Sequence, residues 1–331
     1  MHLSGATLIF ALPGRAFGRD PESDPSNGSD QSSLRVLLGR GNAQRIDDQT
    51  FTYNGRRYRG RFDYSETHEV ISTVPVEQYL YSVVSREMPR SWPDAALQAQ
   101  AIAARTYVLQ RSNPKRNYDV VTSESDQVYT GMDAESASTT AAVDASAGKV
   151  LRFNHAFATI AYSSCCGGHT EAAADAWSGG SKAGYLQGVR CPHCTDSPWY
   201  RWSTSIALDR VNSALGDRIG SLGGIDTIEI GDRDPSGRAR VVNIQGPSGE
   251  THVNAADFRR ALGTRDIPSV LLHSITIEED DQGVRKVKVD GGGLGHGVGL
   301  CQWGARGLAR NDATAEDILA FYFPGTRIGS L

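Results

Sequence analysis

Long apolar runs are missing from this chain. No stretch approaches the ~20 consecutive apolar residues that a membrane-crossing helix needs. Basic clusters are missing too: 34 Lys and Arg are scattered among 38 Asp and Glu, and the net charge of −4 gives no footprint for nucleic acid. No sequence repeat is present. Strand and helix patterns do not alternate as βαβ units, so the expected class is α+β. The nucleotide-binding fingerprints are absent as well. The loop "DGGGLGHGVGLCQWGARG" has many glycines, but no frame places one at the sixth position of G-x-G-x-x-G, and the Lys-Ser/Thr pair of a P-loop is lacking. Five cysteines are an odd number, so they cannot all pair within one chain.

What is present fits a folded domain. The 331 residues, 39% of them hydrophobic, suffice for one large domain or two smaller ones. "SGATLIFALPGRAFG" has a short apolar core and small residues but no basic leader, so an export signal and an ordinary N-terminal strand both stay open. "RDPESDPSNGSDQSS" reads as a polar linker. The expected division is 1–33 for these two segments and 34–331 for the folded domain, with 200–290 as a candidate β-rich subdomain.

From Leu34 the pattern is strand-like, and Asn54-Gly55 marks a hairpin turn. "VPVEQYLYSVVSREMP" is the first convincing helix, with Val76, Leu80, Val83 and Val84 at helical spacing and Pro89 ending it. Ser91 and Asp94 suggest a capping box for the next helix, with Pro93 just inside it and an end near Arg111. Alanines at 95, 96, 99, 101, 103 and 104 leave that helix almost no side-chain bulk, so neighbours can pack close to its backbone. Later segments read as β-hairpins with Ser-Gly turns, then the glycine-rich loop and two C-terminal helices ending at Phe323-Pro324-Gly325.

Three features carry candidate chemistry. Glu87 projects onto the apolar stripe of its helix, in the last turn, where burial and the helix dipole both disfavour ionisation. Such a carboxyl suits a general acid near neutral pH; the alternative is a surface glutamate beside Arg86 and Arg90. Second, Cys166-x-x-His169 and Cys191-x-x-Cys194 are two chelating half-sites roughly 20 residues apart, the pattern of a closed structural zinc site. Cys165 and His193 are spare ligands, and disulfides are the competing reading. Third, His296 is the one titratable group among the loop glycines at 291, 292, 293, 295, 297 and 299, and functional and structural roles stay open for it. Trp92, Tyr107, Tyr129, Trp177 and Trp303 lie in or beside these segments, where flat apolar faces can stack on sugars or simply fill a core.

Taken together, "VPVEQYLYSVVSREMPRSWPDAALQAQAIAARTYVL", "SDQVYTG", "CCGGHTE", "YLQGV", "SPWYRW", "SGRARVVNIQG", "GHGVGLCQWGA" and "ILAFYFPGT", in this order, resemble the stage II sporulation protein D (SpoIID) family and its amidase-enhancer relatives. The resemblance covers most of the chain from about residue 34. It implies a lytic transglycosylase acting outside the cytoplasm on peptidoglycan glycan strands. The N-terminal segment would serve for export or membrane anchoring. The glutamate of the "EMP" motif, Glu87 here, is the implied acid. The reaction cleaves MurNAc–GlcNAc bonds in peptide-stripped strands and leaves 1,6-anhydro ends. The substrate's own 6-hydroxyl is the nucleophile, so no second carboxylate is needed, unlike in ordinary glycosidases. Arg105, Gln127, Tyr129, His296 and Gln302 are the expected sugar-contacting or positioning residues. A partner cell-wall amidase is implied; no organic cofactor and no nucleic acid are. Two departures from the family pattern bear on the expected metal ligands and on any role of a hydroxyl before Gln302: Ser163-Ser164 then Cys165-Cys166 where relatives commonly have His-Ser before the glycine pair, and Cys301 where relatives often carry Ser. Competing readings are a non-catalytic glycan-binding enhancer of an amidase, and a zinc hydrolase using the Cys/His cluster.

Overall fold

The computed structural model describes residues 33–123 and 126–331. The apolar leader and polar linker expected at the N-terminus therefore lie, apart from Ser33, outside the described residues. The architecture is α+β, with several small sheets around a central helix pair and a glycine-rich loop leading into the C-terminal helices.

The strand Ser33–Arg40 buries Leu34, Val36 and Leu38 on one face, the period-2 signature of a half-buried strand. It pairs antiparallel with Glu69–Pro75 and parallel with Val120–Val121, and Arg61–Tyr64 completes the sheet. A separate three-stranded sheet, Ala43–Arg45, Thr50–Tyr53 and Arg56–Arg59, turns at Asn54-Gly55.

Glu69–Pro75 runs directly into helix α1 (Val76–Glu87), which buries Val76, Tyr79, Leu80, Val83 and Val84. Helix α2 (Asp94–Arg111) has Ala96, Ala99, Ala101, Ala103 and Ala104 wholly buried, so it is enclosed on all sides. The alanine-rich composition is what lets α1, α3 (Ala137–Ala145) and the C-terminal helices approach it closely. The expected capping box is not formed: Pro93 itself is the N-cap, no side chain caps the helix, and Asp94 is exposed. Pro93 has no N–H to satisfy, and its fixed φ already points the chain into the helix.

The short α4 (Ala173–Ala176) and the segment through Cys194 still pack in this core; from Trp202 the chain builds a second one. Strands Trp202–Ala207, Arg285–Gly291 and Leu272–Glu279 form one sheet and Thr227–Ile230, Val241–Gly246 and Gly249–Asn254 another, with helices α5 (Leu208–Leu215) and α6 (Ala255–Leu262) beside them. Their buried side chains, from Ile206 to Val289, form a separate apolar cluster. The glycine-rich loop then returns to the first core. Leu300–Cys301 pairs parallel with Tyr162–Ser163 and leads into α7 (Gln302–Ala309). Helix α8 (Ala315–Tyr322) starts with a complete Thr314–Asp317 capping box. The terminal strand Arg327–Ser330 pairs with Lys149–Phe153.

Candidate active site

Glu87 is the last residue of α1. The Met88 N–H still bonds the Val84 carbonyl at 3.0 Å, and then the backbone turns extended. The residue keeps some open surface, while its carboxylate is packed by protein. Oε1 accepts from the Tyr162 hydroxyl at 3.3 Å, and Oε2 accepts from Gln302 Nε2 at 3.0 Å. Tyr162 and Gln302 are far apart in sequence. The parallel pairing of Tyr162–Ser163 with Leu300–Cys301 sets them side by side at the end of α1. Desolvation is the dominant influence and pushes the Glu87 carboxyl up to about 7, against the two hydrogen bonds, which favour the charged form. Glu87 is thus a half-buried residue with a desolvated, hydrogen-bonded carboxyl rather than a freely solvated surface charge.

The other expected residues divide into two groups. Gln302 touches Glu87 directly and also lies 3.4 Å from Gln100 Oε1. Gln127 is fully buried and reaches Glu87 only through Tyr162, to whose hydroxyl it donates at 2.8 Å. His296 packs at a tilt against Trp177, centroids 4.9 Å apart, and its Nδ1 accepts from the Val298 N–H at 2.9 Å. Burial holds its pKa down to about 3, so it is neutral near pH 7. Two residues are placed inside the fold, with structural contacts. Arg105 is 0% exposed and forms an ion pair with Glu77 while also donating to the Lys149 carbonyl at 3.0 Å, so it ties α2 to α1. Tyr129 is inside an aromatic group with Tyr79 at 4.9 Å and Tyr58 at 5.4 Å. Of the other aromatics, Trp92 and Trp303 form a half-buried edge-to-face pair at 5.1 Å beside the Glu87 segment, whereas Tyr107 is buried under the Arg111 guanidinium.

The cysteines gather next to this site. All five are free and buried, and the sulfurs of Cys166, Cys191, Cys194 and Cys301 lie within 4.8 Å of one another. The fourth member is Cys301, not the expected His169, whose Nδ1 is turned to the Thr170 carbonyl at 2.7 Å. Chain geometry explains the difference: the strand pairing that delivers Gln302 delivers its neighbour Cys301 into the thiol group. The donor set fits a metal such as zinc. Sulfurs around tetrahedral zinc stand about 3.8 Å apart given Zn–S near 2.3 Å, and Cys166 and Cys194 are 3.6 Å apart, well beyond a disulfide bond. Surrounding groups already point at the sulfurs. Cys301 accepts N–H bonds from Cys166 at 3.2 Å and Gly304 at 3.4 Å, and the Tyr322 hydroxyl sits 3.1 Å from Cys191. Gly304 leaves no room for a side chain, since a Cβ there would lie 1.9 Å from the Tyr322 hydroxyl and 2.8 Å from Cys191 Sγ.

A buried arginine locks this region to the second core. Arg238 donates to the carbonyls of Cys166 at 2.9 Å and His169 at 3.0 Å and pairs with buried Glu171. Gly297 is needed beneath it, because a Cβ would meet the guanidinium at 2.1 Å. The two residues that sequence reasoning missed are Tyr162, which sits in a two-residue strand with no motif signal, and Cys301 as a member of the thiol group.

Residues 64–153 match the family described as Stage II sporulation protein (SpoIID), and residues 185–299 match a domain of unknown function. An uncharacterised protein of Brachyspira hyodysenteriae is 33% identical over 285 residues, covering 84% of this chain and 74% of its own. The stage II sporulation protein D of Bacillus subtilis is 29% identical, covering 80% of this chain and 77% of its own. The amidase enhancer of the same organism is 28% identical over 76% of this chain but 40% of its own length. With its family match and these relatives, the chain belongs to the SpoIID and amidase-enhancer family.

Proposed function

We propose that this protein acts on the bacterial cell wall as a lytic transglycosylase, with Glu87 as its single acid and base. The observation that carries the proposal is the setting of Glu87: a desolvated carboxyl, tuned to about 7, with one neutral donor on each oxygen. As an acid, Glu87 protonates the glycosidic oxygen between MurNAc and GlcNAc, and the C1–O bond breaks as positive charge develops at C1. The carboxylate left behind is stabilised by the Tyr162 hydroxyl and the Gln302 amide, donors already aimed where negative charge appears. It then takes the proton of the muramic 6-hydroxyl, whose oxygen closes on C1 to give the 1,6-anhydro end. The proton count returns to its start, and no second carboxylate enters. Such a carboxyl contributes typically 10²–10⁴-fold to rate. Peptide-stripped glycan is the proposed substrate, and the proposed site of action is outside the cytoplasm. Among the described residues no helix is long and apolar enough to cross a membrane.

Cys166, Cys191, Cys194 and Cys301 would hold zinc. With all four positions filled by thiolates, the ion would cross-link the fold and supply no chemistry of its own. Cys301 precedes Gln302, so the ion would also steady the start of α7 beside Glu87. This disfavours the zinc-hydrolase reading, which needs an open metal position.

A second reading draws support from the relative named amidase enhancer: a glycan-binding partner of a cell-wall amidase, without turnover. Glu87→Gln separates the two. The transglycosylase reading expects binding to peptide-free glycan to persist while cleavage falls at least 10²-fold. Equal cleavage by the variant, or none by the parent protein, ends it.

A further inference from the structure

Behind Glu87 lies a chain of polar groups whose proton directions are fixed. Gln127 is fully buried, and its amide nitrogen faces both the Ala104 carbonyl at 3.4 Å and the Tyr162 hydroxyl at 2.8 Å. A carbonyl can only accept, so the NH₂ must stand on that side. The amide oxygen then faces Tyr79, whose hydroxyl donates to it at 3.1 Å. Since Tyr162 already receives a proton from Gln127, its own single proton is left for Glu87 Oε1, 3.3 Å away. Every donor in the series Tyr79, Gln127, Tyr162 therefore points toward the carboxyl.

His296 stands on the other side of Tyr162. Because Nδ1 accepts from the Val298 N–H, the ring proton is on Nε2, and the imidazole bonds the Tyr162 backbone carbonyl. This holds the Tyr162–Ser163 strand from behind while Leu300–Cys301 holds it from the side.

We propose that Tyr162 is a positioning residue for Glu87, with its hydroxyl aimed by the buried Tyr79–Gln127 pair and its backbone braced by neutral His296. The inference rests on Glu87 being the reacting carboxyl. It adds that one oxygen always meets a donor, which favours the carboxylate left after proton transfer and opposes burial, so the acid is not locked in its protonated form. The ionisable groups facing Glu87 are the phenols of Tyr162, Tyr79 from α1 and Tyr107 from α2, with Asp126 and Arg111 beyond Tyr107. Burial pushes all three phenols up, so they stay neutral across the range in which Glu87 titrates.

The test reads the Glu87 carboxyl directly, by ¹³C NMR titration of glutamate-labelled full-length protein without substrate. The signal is assigned by its loss in Glu87→Gln. Tyr162→Phe keeps the ring and removes the donor; it is expected to raise the Glu87 midpoint by about half a unit to one unit. Tyr79→Phe does not touch Glu87, yet it frees the Gln127 oxygen and is expected to raise the midpoint in the same direction by less. Gln127→Met, similar in volume, is the second route if Tyr162→Phe fails to fold, and is expected to raise it too. An unmoved midpoint in a folded Tyr162→Phe or Gln127→Met protein overturns the proposal, even if that protein still cleaves glycan. A midpoint that moves as expected supports it even if the parent cleaves nothing, in which case only the transglycosylase reading is lost.

Discussion

Replacing Glu87 by Gln should change stability with a sign that depends on pH. Glu87 titrates at about 7 in the folded chain against a reference value of 4.5, so the native state holds its proton more tightly than the unfolded chain does. Stability is therefore lost as pH rises from about 4.5 to about 7, and the whole penalty is present above that range. At ~1.36 kcal/mol per pH unit of separation, the penalty is about 3 kcal/mol at pH 8. Gln carries no such penalty. Its single amide oxygen can serve only one of the two donors, Tyr162 and Gln302, which costs about 1 kcal/mol at any pH. The variant should thus be about 1 kcal/mol less stable than the parent at pH 4 and about 2 kcal/mol more stable at pH 8. Urea unfolding at both pH values measures this, provided the slope m is unchanged. Glu171, also raised to about 7 by burial, is present in both proteins and cancels in the comparison. A stability difference that does not move between pH 4 and pH 8 would refute the claim that the Glu87 carboxyl is desolvated.

Further outcomes follow from the same contacts. Glycan cleavage should decline as pH rises through about 7, because the acid form of Glu87 is lost; a rate that climbs steadily to pH 9 would contradict this. Arg105→Ala opens a buried gap and removes the ion pair of the partly exposed Glu77, which keeps the Gly148 N–H, and should destabilise the fold by about 2–3 kcal/mol, read by denaturant unfolding. Cys301→Ser should lower bound zinc measured by elemental analysis and lower the thermal midpoint, whereas His169→Ala should leave zinc content unchanged. Gly304→Ala should reproduce the metal loss of Cys301→Ser, since its methyl would displace Tyr322 or Cys191.

Periodicity exposed Glu87 because a carboxylate at an apolar helical position is a local anomaly, visible within four residues of Val83 and Val84. The α2 alanines likewise announced close packing before any neighbour was known. Spacing brought out Cys166, Cys191 and Cys194, yet it favoured His169 because short-range chelation is all that spacing can see. Cys301 and Tyr162 reach the site through the parallel pairing of two two-residue strands, a tertiary event with no local signature. Arg105 stood out as part of a motif, but its contacts depend on burial, which makes it a tie between helices. The Ser91–Asp94 cap failed for a related reason: Pro93 fixes the helix entry by its own ring, and the side chains are not required.

The most direct test of the central claim is mass spectrometry of the chain ends formed on peptide-free peptidoglycan glycan. 1,6-Anhydro-muramic ends are expected with the parent protein and none with Glu87→Gln. Reducing ends from the parent, or anhydro ends that persist in the variant, would contradict it.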